Sequence, residues 1–197
     1  MKPEIKRLTR TDFKEVVKEQ QFKRLDRSQS HQWFEKLMVK FPKGQFCSVN
    51  NESIESVGFS VIISLNDLKK IKSHPFNFEM LAHQSDGETL FEVALLIFGK
   101  QEKRLARYHR EALKSLCQEM NLRSVMLIAP LTNYNRYADL LSVRDYLNRV
   151  QGKEIYDPLL SYQLKGFHVR RMLKNNVKSK TIYVLMEWNN IYFEPTD

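Results

Sequence analysis

The stretch from Leu90 to Ala129 constrains this chain more than any other. Leu90 to Phe98 is apolar at nearly every position, the composition of a strand buried on both faces, and Gly99 ends it. From Gln101 to Met120 the period changes to that of a helix. Leu105, Ala112, Leu116 and Met120 recur on one side, with Lys103, Arg104, Arg107, Arg110 and Lys114 on the opposite, solvated side. Ser124 to Ala129 is a second buried strand, stopped by Pro130. Strand, helix, strand in this order is a β-α-β unit with parallel strands and a right-handed crossover.

The flanking elements follow from caps and breakers. Ile5 to Leu8 reads as a short strand, and Thr11 offers an N-cap to a helix bearing Phe13, Val16, Val17 and Phe22. Ser28 or Ser30 can cap a second helix holding Trp33, Phe34, Leu37 and Met38, which must stop before Pro42. Gln45 to Val49 and Ile54 to Ser64 form a hairpin, because Asn50-Asn51 tolerates the positive φ of a tight turn. Residues 65 to 88 connect, with one short helix from Leu65 to Ile71 and a turn at His74-Pro75. Ser142 caps a helix running to Val150, and Asp157-Pro158 starts a short one that Gly166 closes. Phe167 to Leu173 and Thr181 to Trp188 are the last two strands.

Composition narrows the function classes. The 197 residues suffice to bury roughly 70% of the unfolded surface around one core, so residues 1–197 read as a single domain. No run approaches the ~18 apolar residues of a membrane helix, and the first residues lack a signal-peptide core, so a cytoplasmic protein is expected. Cys47 and Cys117 have no CxxC partner and read as reduced, buried thiols. His31, His74, His83, His109 and His168 show no ligand spacing, so no metal site is expected. There is no GxSxG element or Cys/His/Asn context for hydrolase chemistry. The net charge of +9 favours phosphorylated ligands and polyanions as partners. Nucleic acid has only that charge in its support, since no recognition motif is present.

Certain residues carry a resemblance. Phe41-Pro42-Lys43-Gly44-Gln45, Thr89-Leu90-Phe91, Asn121-Leu122-Arg123 and, above all, Tyr156-Asp157-Pro158-Leu159-Leu160-Ser161-Tyr162-Gln163-Leu164 followed by Gly166-Phe167 resemble a subgroup of the GNAT superfamily of acyl-CoA-dependent N-acyltransferases. That subgroup includes the acetyltransferase module found fused to nitrilase-like carbon-nitrogen hydrolases. The resemblance implies an α/β (α+β) fold, with a splayed mixed β-sheet of six to seven strands flanked by helices. It further implies that the strands around Leu95 and Met126 diverge, leaving Leu95, Leu96 and Ile97 beside the pantetheine arm of acetyl-CoA or another acyl-CoA.

In this family the strand is followed by a loop of pattern Gln/Arg-x-x-Gly-x-Gly/Ala. Backbone N–H groups at a helix N-terminus bind the pyrophosphate, and glycine lets the backbone come close. Here the loop reads Gln101-Glu102-Lys103-Arg104-Leu105-Ala106, with Arg104 where the central glycine stands. Either Arg104, with Lys100 and Lys103, adds contacts to phosphate, or Arg104 and Glu102 obstruct the cradle. The first alternative is preferred, because a cation at a helix N-terminus can fold over a phosphate already held there.

Acyl transfer to an amine needs a base for the amine and an acid for the departing thiolate. Tyr162 occupies the position where the family places the acid; an aromatic packed under the sheet is the other reading. Glu92, the only acid of the central strand, has the apolar setting that raises a carboxyl pKa, although solvent at the strand's start would cancel that. The expected activity is acyl transfer from an acyl-CoA to an amine, borne by a small molecule or a protein. The alternative is a GNAT-fold module that binds CoA or a protein partner without turnover.

Overall fold

Residues 3–18, 28–71, 73–74, 81–175 and 181–195 are described by the computed structural model. Phe22 and Pro75 lie outside them. The elements run β1 (Glu4–Arg7), α1 (Arg10–Val16), α2 (Ser28–Lys40), β2 (Gln45–Asn50), β3 (Ser53–Ile63), α3 (Leu65–Lys70), β4 (Ser73–His74), β5 (Thr89–Ile97), α4 (Glu102–Glu119), β6 (Ser124–Pro130), α5 (Val143–Gln151), α6 (Leu160–Gln163), β7 (His168–Asn175) and β8 (Tyr183–Asn189). The chain divides into two compact units. One comprises Met1–Leu65, Phe78–Val125 and Asn190–Asp197, the other Asn66–Asn77 and Met126–Asn189.

In the first unit β1, β2, β3 and β5 are successive antiparallel neighbours. The hairpin between β2 and β3 turns at Asn51 and Glu52, whose φ values are 46° and 65°. Asn50, expected inside the turn, instead pairs with Ser53 as the last rung of the ladder. Thr9, not Thr11, caps α1: its side chain accepts the Asp12 N–H, and Asp12 in return accepts the Thr9 N–H. Ser28 and Ser30 lie within the first turn of α2.

Successive residues of β3 face opposite ways, and each face takes a different helical cover. Phe59 meets Phe34 with ring centroids 4.2 Å apart and Phe13 edge-on at 6.2 Å, which fixes α1 and α2. Gly58 faces α4 instead, where a Cβ would come within 2.8 Å of the His109 ring nitrogen Nδ1.

α4 buries Leu105, Ala106, His109, Arg110, Leu113, Leu116 and Cys117. The expected basic face is therefore incomplete. Lys103 and Arg107 are exposed, but Arg110 sits at the margin of the apolar stripe and is buried. Beyond α4, the starts of β5 and β6 lie side by side. Thr89 Oγ1 is 3.3 Å from Ser124 Oγ, Arg123 N–H donates to the Glu88 carbonyl, and their side chains form an ion pair at 2.9 Å. That is where a β-α-β crossover puts the starts of its two strands.

The second unit orders its strands β6, β8, β7, β4. β7 is antiparallel to β8, and the two-residue β4 pairs parallel to β7, so His74 lies in a strand rather than a turn. Arg171 of β7 donates to the Leu68 carbonyl at 2.7 Å and to the Ile71 carbonyl, meeting acceptors that the end of α3 leaves open. Ser142 caps α5 by accepting the Asp145 N–H. Asp157 is fully buried and accepts from the Tyr146 hydroxyl at 2.6 Å, the Leu159 N–H at 2.8 Å and the Asn133 N–H at 2.9 Å. Asp157 is therefore not the N-cap of α6, which is Leu159 without a side-chain cap; its carboxylate instead holds the Leu159 N–H ahead of the helix and makes two longer-range ties.

Candidate functional site

β5 changes character along its length. Thr89, Leu90 and Phe91 are buried, whereas every residue from Glu92 to Ile97 is half-exposed, so the strand is not enclosed on both faces throughout. The change coincides with a β-bulge: Phe59 pairs with Ala94 and Ser60 with Glu92, leaving Val93 as the extra residue. Such a bulge bends a strand and re-aims the side chains that follow it.

Beyond the bulge, Leu95, Leu96, Ile97, Phe98, Gly99 and Glu102 line an open pocket of about 370 Å³. Its far wall is the turn into α4. The Phe98 and Gly99 N–H groups both donate to the Glu55 carbonyl, at 2.7 and 3.0 Å, which folds the turn over the end of β3. Gly99 suits that closeness, since a Cβ there would stand 3.1 Å from Glu55 Cβ and 3.2 Å from Leu105 Cδ1, a tight fit.

Gln101 holds the N-cap position of α4, but its side chain makes no capping bond. Its Oε1 instead accepts from Arg104 Nη1 at 2.8 Å, and its carbonyl accepts the Arg104 and Leu105 N–H groups, both at 3.0 Å. Arg104 lies back along the helix, with its guanidinium carbon 5.8 Å from the Tyr108 ring centroid. The Tyr108 phenol pKa is lowered chiefly by its hydrogen bond with Arg104. Arg104 would have to exchange these contacts for a phosphate. Lys103 is exposed; Leu105 and Ala106 are buried, so their side chains serve the core and only backbone could face a ligand.

Glu92 stands apart from that pocket. It shares a tightly filled interior with Phe46, Gly58, Phe59, Leu95, His109 and Leu113 that has no room for a water. Its Oε2 is buried without a hydrogen-bond partner. Burial raises the carboxyl pKa, and the nearby Arg110 charge partly opposes the shift. Close by, His109 Nε2 lies 2.8 Å from Ser56 Oγ, which is 2.5 Å from Ser48 Oγ, forming a buried chain of three side chains. Burial pushes the His109 pKa down to about 4. Nothing in the sequence marks this chain, because Ser48, Ser56 and His109 meet only through strand register and helix docking.

Tyr162 belongs to the second unit. It is half-buried in α6, its ring edge-on to Phe167 at 6.4 Å, and its carbonyl accepts the Lys165 and Phe167 N–H groups. Cys47 and Cys117 are both buried and unpaired, and burial pushes each thiol up to about 12. Among the described residues no group of His, Cys, Asp and Glu could hold a metal ion, and no helix is long and apolar enough to cross a membrane.

The arrangement recurs in solved structures. The loading GNATL domain of CurA from Lyngbya majuscula superposes with a TM-score of 0.74 at 18% identity, covering 95% of this chain and 97% of that one. The GphF GNAT-like decarboxylase, in complex with isobutyryl-CoA, gives 0.72 at 14% identity over 94% and 98%. The ribosomal-protein-S18-alanine N-acetyltransferase from Escherichia coli gives 0.57 at 11% over 95% and 93%. The chain therefore has the GNAT fold, a mixed sheet flanked by helices. In sequence it is similar to the probable hydrolase YhcX of Bacillus subtilis (strain 168), 31% identical over 165 residues. That match covers 79% of this chain and 32% of the relative, so the chain spans about a third of the relative's length. No family model matches the sequence.

Proposed function

We propose that this chain binds an acyl-CoA, acetyl-CoA being the simplest, and transfers its acyl group directly to an amine. One observation carries the reading: a pocket along Leu95–Ile97 ends at the start of the 18-residue helix α4, which has no side-chain cap. An elongated ligand ending in phosphates suits that combination, because the helix dipole and first-turn N–H groups favour an anion. The isobutyryl-CoA bound by GphF, a protein of the same fold, supports the ligand class.

In this reading Leu95, Leu96 and Ile97 flank the pantetheine arm, and the backbone from Gln101 to Ala106 faces the pyrophosphate. Lys103 approaches from solvent, and Arg104 leaves Gln101 and Tyr108 to fold over the phosphate. Tyr162 protonates the thiolate. The base role read for Glu92 passes to solvent water, because its Oε2 is buried and its side chain points into the filled space under α4 and away from the pocket.

Titration of acetyl-CoA into wild type, Arg104→Ala and Arg104→Gly tests the ligand assignment. A charged hydrogen bond contributes about 1.5–3 kcal/mol, and the contacts Arg104 gives up take back part of that. Arg104→Ala should therefore weaken binding by about five- to tenfold, less so at high salt. Tighter binding by Arg104→Gly would mark Arg104 as an obstruction, and no binding by any of the three would leave a GNAT fold used without CoA. In a thiol-release assay, Tyr162→Phe should lower turnover by tenfold or more, on the order of the 10²–10⁴-fold that general acid–base catalysis contributes, with the Kd for acetyl-CoA unchanged. Parallel loss of binding and stability would make Tyr162 a packing residue.

A second reading has its own support in the likeness to a GNAT-like decarboxylase, at a TM-score of 0.72. A carboxyl-bearing acyl-CoA would then lose carbon dioxide in the same pocket. Release of carbon dioxide without any amine separates this from transfer.

A further inference from the structure

The second unit contains a groove that the reading above does not use. It measures about 590 Å³ and lies between one face of α5 and the stretch from α6 into β7. Leu147, Leu160 and the exposed Leu164 provide its apolar surface, and Arg144 and Lys153 stand on its rim. No acidic residue lines it. His168, also on the lining, already has Glu187 at 3.4 Å, but Arg144 and Lys153 have no ion-pair partner among the described residues.

Lys153 has φ 62°, the left-handed conformation that glycine adopts without cost, while Gly152 beside it sits in ordinary helical geometry at φ −71°. The left-handed turn is closed by the Glu154 N–H donating to Arg149 O at 2.9 Å. At this helix end a glycine is the usual occupant, so Lys153 holds a backbone conformation that lysine rarely adopts.

We infer that this groove binds a small amphipathic anion. Its carboxylate or phosphate head meets Arg144 and Lys153, and its apolar body lies on Leu147, Leu160 and Leu164. The volume is that of a small-molecule site, and such sites combine an apolar lining with few polar anchors. The inference does not depend on acyl-CoA binding in the first unit.

Octanoate, hexyl phosphate and uncharged 1-octanol serve as probes, titrated into the full chain with backbone amide NMR as the readout. Octanoate and hexyl phosphate should bind saturably, with shifts centred on Leu147, Leu160 and Gly166, and 1-octanol should bind more weakly than either. A stronger response to one anion identifies the head group. Arg144→Gln should weaken both anions by about three- to fivefold, as for a partly exposed ion pair. Lys153→Gly should weaken them equally while raising the Tm, because it relieves the left-handed lysine; this separates lost binding from lost fold. Arg104→Ala should change nothing here. The inference is overturned if neither anion saturates, if both rim variants bind as wild type does, if 1-octanol binds as well as the anions, or if acetyl-CoA displaces octanoate.

Discussion

Asp157→Ala should lower the stability of the second unit by about 3–5 kcal/mol, read as an earlier midpoint in urea denaturation followed by tyrosine fluorescence. The carboxylate is wholly buried and accepts three donors drawn from separate parts of the chain: the Tyr146 hydroxyl, the Asn133 N–H and the Leu159 N–H. Alanine removes all three acceptor contacts and leaves the donors without partners. Each buried unsatisfied donor costs about 1–3 kcal/mol, and water entering beside Leu159 recovers some of it. Tyr146 is itself fully buried, against Tyr134 at 5.2 Å and Tyr137 at 5.6 Å, so its hydroxyl cannot turn to solvent. Its phenol pKa is raised by burial and then by the bond to Asp157. Asp157→Asn keeps an acceptor but presents an amide N–H to one of the donors, and should cost about half as much. A loss below about 1 kcal/mol for Asp157→Ala would show that the three donors find other partners, and the account of this junction would fail.

Acidification should destabilise the protein through His109. Its imidazole has a pKa of about 4 in the folded state against 6.5 when unfolded, because burial disfavours the charged ring and Arg110 adds to the effect. Between those values the unfolded chain binds a proton that the folded chain does not, so stability falls as pH drops through this window. The contribution is fully present above about pH 6.5 and lost by about pH 4. The gap corresponds to about 3 kcal/mol. Glu92 acts in the opposite sense, since its raised carboxyl pKa makes the folded state the better proton binder at the pH where it titrates. His109→Gln isolates the imidazole. The difference in unfolding free energy between wild type and this variant should change by about 3 kcal/mol from pH 7 to pH 4. Parallel stability curves for the two proteins would mean that His109 reaches water or a second acceptor when protonated.

The β-α-β order of Leu90 to Ala129, the hairpin, the Ser142 cap and the break at Gly166 were legible from period, caps and breakers. These are set by local sterics and by apolar spacing within one segment. Local cues slipped where two residues compete for one role. Thr9 displaces Thr11 because only Thr9 has Asp12 three residues on to return the hydrogen bond. Asn51 and Glu52 take the hairpin turn because the pairing of Asn50 with Ser53 leaves those two between the strands.

The amino-acid sequence by itself determined most of the strands and helices, though not β4, that the chain carries a strong positive charge, and which loop follows the central strand. Those properties belong to single segments or to the whole composition, so no contact is needed to read them. Only the tertiary structure decided where side chains from distant segments meet. Arg110 reads as part of a solvated stripe, yet docking of α4 turns it into the core beside Glu92. Ser48, Ser56 and His109 form one chain, and Asp157 reaches back to Asn133 and Tyr146, because register and helix docking bring them within hydrogen-bond distance. The bulge at Val93 divides β5 into a buried half and an open half, and a bulge is fixed by how two strands pair. Burial and pairing are relations between segments, and such relations exist only once the chain has folded.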